Sequence, residues 1–176
     1  MFLIDFDDDF FSKNISSILK QKSFPVTFNK KEKYFDSISI KLISNGLKIF
    51  KSNNSQIINL PATSMTICST IKKLLSQTSI NFSEYEYNPI NQVIFYKNVP
   101  CYLGVIHNII FGNLLLHKSE GIKKLDLYQL IWPNDKDIQI NKLDTHITNL
   151  KNKLKTAISL SVNISSSSGI IKLRVN

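Results

Sequence analysis

The hydrophobic positions along the chain change period several times. Phe2-Leu3-Ile4 is a short apolar run that closes on acids, which predicts a strand. Phe11, Ile15, Ile18 and Leu19 then recur at helical spacing between Phe10 and Lys22. Pro25 to Phe28 reads as a short extended piece, and Ser37 to Ile43 alternates as a half-buried strand ahead of the turn signal Asn45-Gly46. Ile57-Ile58-Asn59-Leu60 predicts another strand. From Ser64 the positions Ile67, Cys68, Ile71, Leu74 and Leu75 mark an amphipathic helix that Thr78-Ser79 ends. That is the predicted boundary between two small domains, 1–78 and 79–176.

In the second domain, Phe82 to Tyr87, Val93 to Tyr96 and Val99 to Leu103 are three short strand candidates, broken at Asn88-Pro89 and Lys97-Asn98 as an antiparallel meander would be. Helical patterning follows over Val105 to Leu116 and Leu125 to Trp132. Pro133-Asn134-Asp135 opens a polar loop, and a third helix runs from about Asn141 to Thr156. Ser159 to Ile164, a turn over Ser165 to Gly169, and Ile170 to Val175 predict a terminal hairpin. Helix, short helix, loop, polar-faced helix and hairpin is the order of a winged helix-turn-helix.

On a 100° wheel, Leu143, Ile147, Leu150 and Leu154 gather on one side of the third helix and should face the core. The other side presents Asn141, Lys142, Thr145, Thr148, Asn149 and Asn152, flanked by His146 and Lys153, with Asp144 the one acid among them. Asn can pair bidentately with adenine, Thr offers a methyl to thymine or a hydroxyl to phosphate, and Lys neutralises backbone charge. Such a face suits a major groove of double-stranded DNA; on a helix taken alone it is also what an ordinary solvated surface looks like. Ser166, Ser167 and Ser168 at the hairpin tip, with Gly169, are small hydrogen-bonding residues that can approach a minor groove or phosphates, and Lys172 or Arg174 adds charge.

Charge strengthens that reading. The net charge is +9, and residues 91–176 hold 11 Lys+Arg against 5 Asp+Glu, so the back half carries +6 of the total. A polyanion is therefore the first partner to consider. Cys68 and Cys101 lie far apart in apolar surroundings, which gives a disulfide framework or a metal site nothing to build on. His107, His117 and His146 lack zinc spacing and no Gly-rich loop cradles a phosphate, so neither metal nor cofactor is expected. No stretch approaches the roughly 20 apolar residues of a membrane span, and a cytoplasmic protein without a membrane partner is expected. Trp132 is read as core packing, and the alternating Tyr85, Tyr87, Phe95 and Tyr96 as core and interdomain packing.

Leu127-Tyr128-Gln129-Leu130-Ile131-Trp132 and the run Leu143-Asp144-Thr145-His146-Ile147-Thr148-Asn149-Leu150-Lys151-Asn152-Lys153-Leu154 resemble the OmpR/PhoB-type effector domain of bacterial response regulators. That family's third helix reads V-D-V-H-I-x-x-L-R-x-K-L, and the likeness covers about residues 80–176. It implies an α+β winged helix-turn-helix with N-terminal antiparallel strands, three helices and a C-terminal wing. It also implies base reading by Thr145 and Asn149, phosphate contacts by His146 and Lys151, and an RNA polymerase contact through the 133–139 loop. Asn149 stands where an Arg often reads guanine, which points to A·T-rich sites. The wing lacks the family's R-G-x-G-Y.

The first domain carries a weaker likeness. Phe2-Leu3-Ile4-Asp5-Phe6-Asp7-Asp8-Asp9-Phe10 is similar to the receiver start L-I-V-D-D-D-x-x-F, whose acids bind Mg²⁺ beside a phosphorylatable Asp. Asp36-Ser37-Ile38-Ser39-Ile40-Lys41 resembles the receiver's third strand with Lys41 in place of the phosphoacceptor. Ile57-Ile58-Asn59-Leu60-Pro61-Ala62 resembles its last strand with Leu60 in place of a lysine. About 40 residues are missing between Lys48 and Ser55, enough to remove a middle strand and its neighbouring helices. The expectation is an α/β receiver-like domain, shortened and phosphorylation-dead, serving dimerisation through the Ser64 to Gln77 helix or binding a partner. The whole is then a non-enzymatic, phosphorylation-independent transcription regulator. Two alternatives stand beside it: a protein-interaction module that uses the winged helix to engage RNA polymerase or another regulator, and a haloacid-dehalogenase-like phosphatase built on Asp5-Phe6-Asp7. Residues Asp7 to Asp9 also fit a helix N-terminus, where acids complement the macrodipole.

Overall fold

The computed structural model describes residues 2–6, 15–17, 26–27, 30–31, 34–51 and 54–175. Of the helix expected over Phe10 to Lys22, residues 15–17 are helical and bury Ile15; the remainder, with Asp7 to Asp9, lies outside the described residues. The chain divides into two compact units, Met1–Ile80 and Asn81–Asn176. No helix among the described residues is long and apolar enough to cross a membrane.

The first unit is built on a five-stranded sheet of β1 (Phe2–Phe6), β2 (Val26–Thr27), β3 (Asp36–Ile43), β4 (Gly46–Lys51) and β5 (Asn54–Asn59), in the order β2-β1-β3-β4-β5. Strand β1 runs parallel to both neighbours, with Phe2 beside Val26 and Ile4 beside Ile38. From β3 onward the sheet is antiparallel, pairing Leu42 with Leu47 and Leu47 with Ile58.

This corrects the expectation that a middle strand is gone. The strand order is that of a doubly wound receiver-type sheet, and β4 is present. What differs from such a sheet is the connections after β3, which are short. A parallel return needs a dozen or more residues, whereas β3 and β4 are joined by Ser44-Asn45 alone and β4 and β5 by residues 52–53, so the chain can only turn straight back. Leu60, expected inside the last strand, follows it. Helix α1 (Ser64–Leu75) is started by Thr63, whose hydroxyl accepts from the Thr66 N–H at 3.2 Å, and packs its apolar stripe on β4 and β5. Ile71, Leu75, Leu47 and Ile49 are 0 or 1% exposed, which makes this the unit's core.

The second unit opens with a four-stranded antiparallel meander, β6 (Ile80–Phe82), β7 (Tyr85–Asn88), β8 (Val93–Tyr96) and β9 (Val99–Tyr102). The sequence suggested three strands because the first turn, where Ser83 has φ 49°, lacks a Gly or Pro signal. Lys97 and Asn98, at φ 46° and 68°, make the β8–β9 hairpin a type I′ turn. Helix α2 (Val105–Leu116) follows, then β10 (Ile122–Lys123), α3 (Lys124–Ile131), α4 (Ile140–Ile158), β11 (Val162–Ser167) and β12 (Ile170–Val175). The last sheet has the order β10-β12-β11.

Tyr87 seats α2 on the meander. Its buried hydroxyl donates to Asn108 Oδ1 at 2.7 Å, the Asn108 amide donates to the Pro89 carbonyl at 2.9 Å, and burial pushes the phenol pKa far above its usual value. A Cβ on Gly112 would lie 2.9 Å from that hydroxyl, so the closeness of the helix at this point requires glycine. Phe111 packs edge-on against Tyr87 at 5.0 Å, and Ile110, Leu114, Leu127, Leu143, Leu150 and Leu154 complete a core closed by Ile171 and Leu173.

Candidate nucleic-acid interface

The apolar stripe of α4 orients its polar side. Leu143, Ile147, Leu150, Leu154 and Ile158 are buried at successive steps of four, three, four and four residues, and the helix extends two residues beyond the expected Thr156. Its 19 residues give a rod of roughly 28 Å, long enough to cross a major groove about 12 Å wide. Ser159, expected to start a strand, instead ends the helix in the left-handed region at φ 53° and donates its N–H to the Lys155 carbonyl.

On the far side, Asn141, Thr145, Thr148, Asn149, Asn152 and Lys153 are exposed, while Lys142, His146 and Lys151 are half-buried. The Thr145 hydroxyl donates to the Asn141 carbonyl and that of Thr148 to the Asp144 carbonyl, each at 2.9 Å. Their protons are satisfied within the helix, so in this rotamer both hydroxyls can only accept from a ligand. The two asparagine amides at 141 and 149 remain exposed and offer both donors and an acceptor. Asp144, the acid on this surface, is held by Lys124 at 2.7 and 3.0 Å from the start of α3. A carboxylate that would repel phosphate is thereby neutralised.

Two cations grouped with the face by sequence are drawn aside. Lys142 lies 3.0 Å from Asp135 and 4.1 Å over the Trp132 ring, and Asp135 also accepts from the Tyr128 hydroxyl at 2.9 Å. Those two hydrogen bonds, Lys142 first, hold the Asp135 carboxyl below its usual pKa. Burial raises the pKa of the Cys101 thiol and lowers that of His107; Lys153 acts on both as a smaller, lowering influence, which places it at the α2 and β9 side of the helix. His146 packs its ring 5.6 Å from Trp132 and 5.8 Å from His107.

Trp132 is a further correction, because it is half-buried at the end of α3 and not enclosed in the core. Its ring lies tilted against Tyr128 at 4.7 Å and forms the floor on which Lys142 and His146 rest. The cluster of Tyr128, Trp132, Asp135 and Lys142 fixes the 133–139 loop, whose residues are all exposed. Sequence reasoning missed it, because the loop path that brings Asp135 back to Lys142 leaves no local pattern.

The wing is a hairpin in near-continuous register from Val162↔Val175 to Ser167↔Ile170. Ser165 to Ser167, expected in the turn, belong to β11; the turn itself is Ser168 and Gly169, at φ 51° and 75°, a type I′ connection. Ser167 and Ser168 are exposed, Ser166 pairs with Ile171 through its backbone, and Lys172 is half-buried opposite Ser165. The Lys124 N–H donates to the Gly169 carbonyl at 2.8 Å, which ties the tip to the start of α3. β10 was not foreseen. Its entry depends on Gly121 at φ 83°, where a Cβ would stand 2.7 Å from the Ile171 carbonyl oxygen.

In the first unit the residues that would mark a phosphorylation site are arranged otherwise. Asp5 pairs with Lys30 at 2.8 Å and Asp36 with Lys51 at 3.0 Å. Lys51 also reaches the Thr78 hydroxyl. Lys41 does not close its strand: β3 continues to Ile43, and Lys41 stands opposite Lys48 within the β3–β4 hairpin.

The chain matches no protein-family model and no curated protein. Among solved structures it is similar to the DNA-binding domain of Escherichia coli CadC, with TM-score 0.48 and 16% identity over 57% of this chain and 95% of that one. It is similar to the C-terminal domain of the nisin resistance regulator NsrR, a lantibiotic response regulator, with TM-score 0.44 and 20% identity over 55% of this chain and 96% of that one. DrrB of Thermotoga maritima, an OmpR/PhoB homolog, matches with TM-score 0.47 and 15% identity over 99% of this chain and 97% of that one.

Proposed function

We propose that this protein is a sequence-specific double-stranded DNA-binding transcription regulator, with α4 as the recognition helix in the major groove. The carrying observation is the α4 surface itself: Asn141, Thr145, Thr148 and Asn149 are exposed on a helix whose other side is locked into the core, and its acid, Asp144, is already paired with Lys124. Thr145 and Asn149 read bases, with Asn149 favouring adenine and hence A·T-rich sites. Asn141 and Lys151 contact the backbone, Thr148 offers its methyl group and an acceptor oxygen, and Ser167, Ser168 and Lys172 bring the wing to a neighbouring groove or phosphate. Lys142 and His146 act mainly by positioning, since each is engaged with a neighbour, whereas the exposed Lys153 adds positive charge beside the face. Regulation does not run through an acyl phosphate. Lysine cannot form one, and Lys41 lies inside a hairpin. The first unit serves dimerisation or a protein partner, and the setting is a bacterial cytoplasm.

The test is an anisotropy titration on genomic DNA fragments at two salt concentrations, comparing wild type with the Thr145→Ala/Asn149→Ala variant. Wild type should select particular fragments, and the double variant should lose about 1–3 kcal/mol per base contact while keeping non-specific binding and its salt slope. Equal loss on every fragment would reassign both residues to backbone contact. Absence of duplex binding above background in wild type would remove the proposal.

A second reading is favoured by a different surface. Leu125, Leu130 and Ile138 are 43, 44 and 47% exposed on α3 and the loop after it, beside the Asp135–Lys142 pair that holds that loop. This is a surface for a protein partner such as RNA polymerase, and it can coexist with DNA binding or replace it.

A further inference from the structure

The antiparallel pairing from β3 onward leaves the six-residue strand β5 at the edge of the first unit's sheet. Strand β5 is last in the order β2-β1-β3-β4-β5, and the opposite edge, β2, has two residues. The hairpin registers decide which backbone groups on β5 point outward. Ser44-Asn45 joins Ile43 to its partner Gly46, so Gly46, Lys48 and Phe50 turn their N–H and C=O groups toward β3, while Leu47, Ile49 and Lys51 turn theirs toward β5. Their partners Ile58, Gln56 and Asn54 are satisfied by β4. Ser55, Ile57 and Asn59 therefore present unpaired backbone groups to the outside, and among the described residues no strand, loop or side chain hydrogen-bonds to them.

Such an edge is a template for another strand, and proteins usually blunt it with Lys, Pro or a bulge. β5 reads Asn-Ser-Gln-Ile-Ile-Asn, with no charge, no proline and a regular register across its whole length. Ile57 is 61% exposed at its middle. In a chain of net charge +9, most surfaces resist their own copy; this one carries nothing to repel it. We infer that β5 is a self-association surface at which a second copy of this chain adds its own β5 antiparallel about a two-fold axis through Ile57, joining the two sheets into one.

The register follows from the outward groups. Ile57 faces Ile57 of the second copy as a narrow pair, flanked by Ser55 against Asn59 on either side, which gives about six backbone hydrogen bonds. The pair of isoleucines covers apolar surface that each copy exposes alone. Lys48, the cation in the same cross-strand row, lies three strand spacings from its counterpart, about 14 Å, beyond the screening length of about 8–10 Å at ordinary salt. This gives the dimerisation reading of the first unit a definite surface, different from the α1 helix suggested by the sequence, and it does not rest on DNA binding.

Sedimentation of the full chain across the micromolar range, with three variants, tests it. Wild type should be in monomer–dimer equilibrium. Ile57→Pro removes an outward N–H without touching the β4 ladder, and Ile57→Lys sets two ammonium groups together on the axis; both should sediment as monomers with circular dichroism unchanged. Ile57→Cys should oxidise to a covalent dimer, because Cα atoms of a narrow pair are about 5.5 Å apart, within disulfide reach. Met65→Cys, on the exposed side of α1, should not. A wild type that stays monomeric at every concentration overturns dimerisation altogether. A dimer that persists in Ile57→Pro and Ile57→Lys, or that cross-links through Met65→Cys instead, overturns the β5 surface while leaving dimerisation standing.

Discussion

The two units place their ion pairs differently. In the first, acids and lysines pair with each other: Lys30 with Asp5 and Lys51 with Asp36. Its sheet ends in an uncharged strand. In the second, one ion pair removes the acid from an otherwise polar helix face, and the asparagine amides on that face stay exposed. Both units are basic, residues 1–80 with 11 Lys+Arg against 6 Asp+Glu and residues 81–176 with 11 against 7, so what separates them is where the charge sits: the first ends in an uncharged edge strand, and the second clears one helix face of its acid.

The sharpest way to break this comparison is to damage each core equally. Leu150 and Ile49 are both 0% exposed, so Leu150→Ala and Ile49→Ala should each cost about 2–5 kcal/mol in denaturant unfolding. At a temperature where each remains folded, only Leu150→Ala should weaken binding to selected DNA fragments, because only it loosens the helix that carries Thr145 and Asn149. Equal loss of binding from Ile49→Ala would tie recognition to the first unit as well.

A smaller effect is expected at the Lys124–Asp144 pair. Lys124→Ala releases a carboxylate onto the α4 face and should lower DNA affinity several-fold, most at low salt, with little change in stability since the pair is partly exposed. Asp144→Asn should raise affinity. If both variants weaken binding alike, the pair acts through geometry and not through charge.

Smaller still is a pH effect at His107. Burial first, then His146 and Lys153, hold its pKa below the usual 6.5. With the folded pKa depressed, the unfolded chain takes up the proton first, so the stability present above pH 6.5 declines as pH falls below it, until the folded ring titrates in turn. His107→Gln should flatten that decline, read as the denaturant midpoint at about pH 7.5 and about pH 5.5. An unchanged slope would place the titration elsewhere. The smallest expected effect is none: acetyl phosphate should leave the mass and DNA affinity of wild type and of Lys41→Asp unaltered. A stable +80 Da adduct on Lys41→Asp, about one phosphoryl group, would show that the hairpin supports phosphoryl transfer.

The helices α1, α2, α3 and α4 were legible within one or two residues of their ends, because each buries a stripe whose period is written locally: Ile67 to Leu75, or Leu143 to Leu154. The polar face of α4 was legible for the same reason, as the complement of its stripe. Strands were less so. β10 is two residues held by the later β12, and β4, Gly-Leu-Lys-Ile-Phe-Lys, alternates plainly but falls where the receiver likeness suggested a deletion. Trp132 looked like a core residue by type. Lys142 and Asp135, seven residues apart across a loop, turn its ring into a surface floor.

By itself, then, the sequence determined periodicity, the hairpins at Lys97-Asn98 and at the wing, the sign of the charge and the identity of the residues on the α4 face, since all of these depend on neighbours within a turn or two along the chain. Only the tertiary structure decided the pairing direction of β3, β4 and β5, the neutralisation of Asp144 by Lys124, and the diversion of Lys142 and His146 toward Trp132. Each of these depends on which distant segment lies alongside, and that is set by connection length and shared burial, which local spacing does not encode.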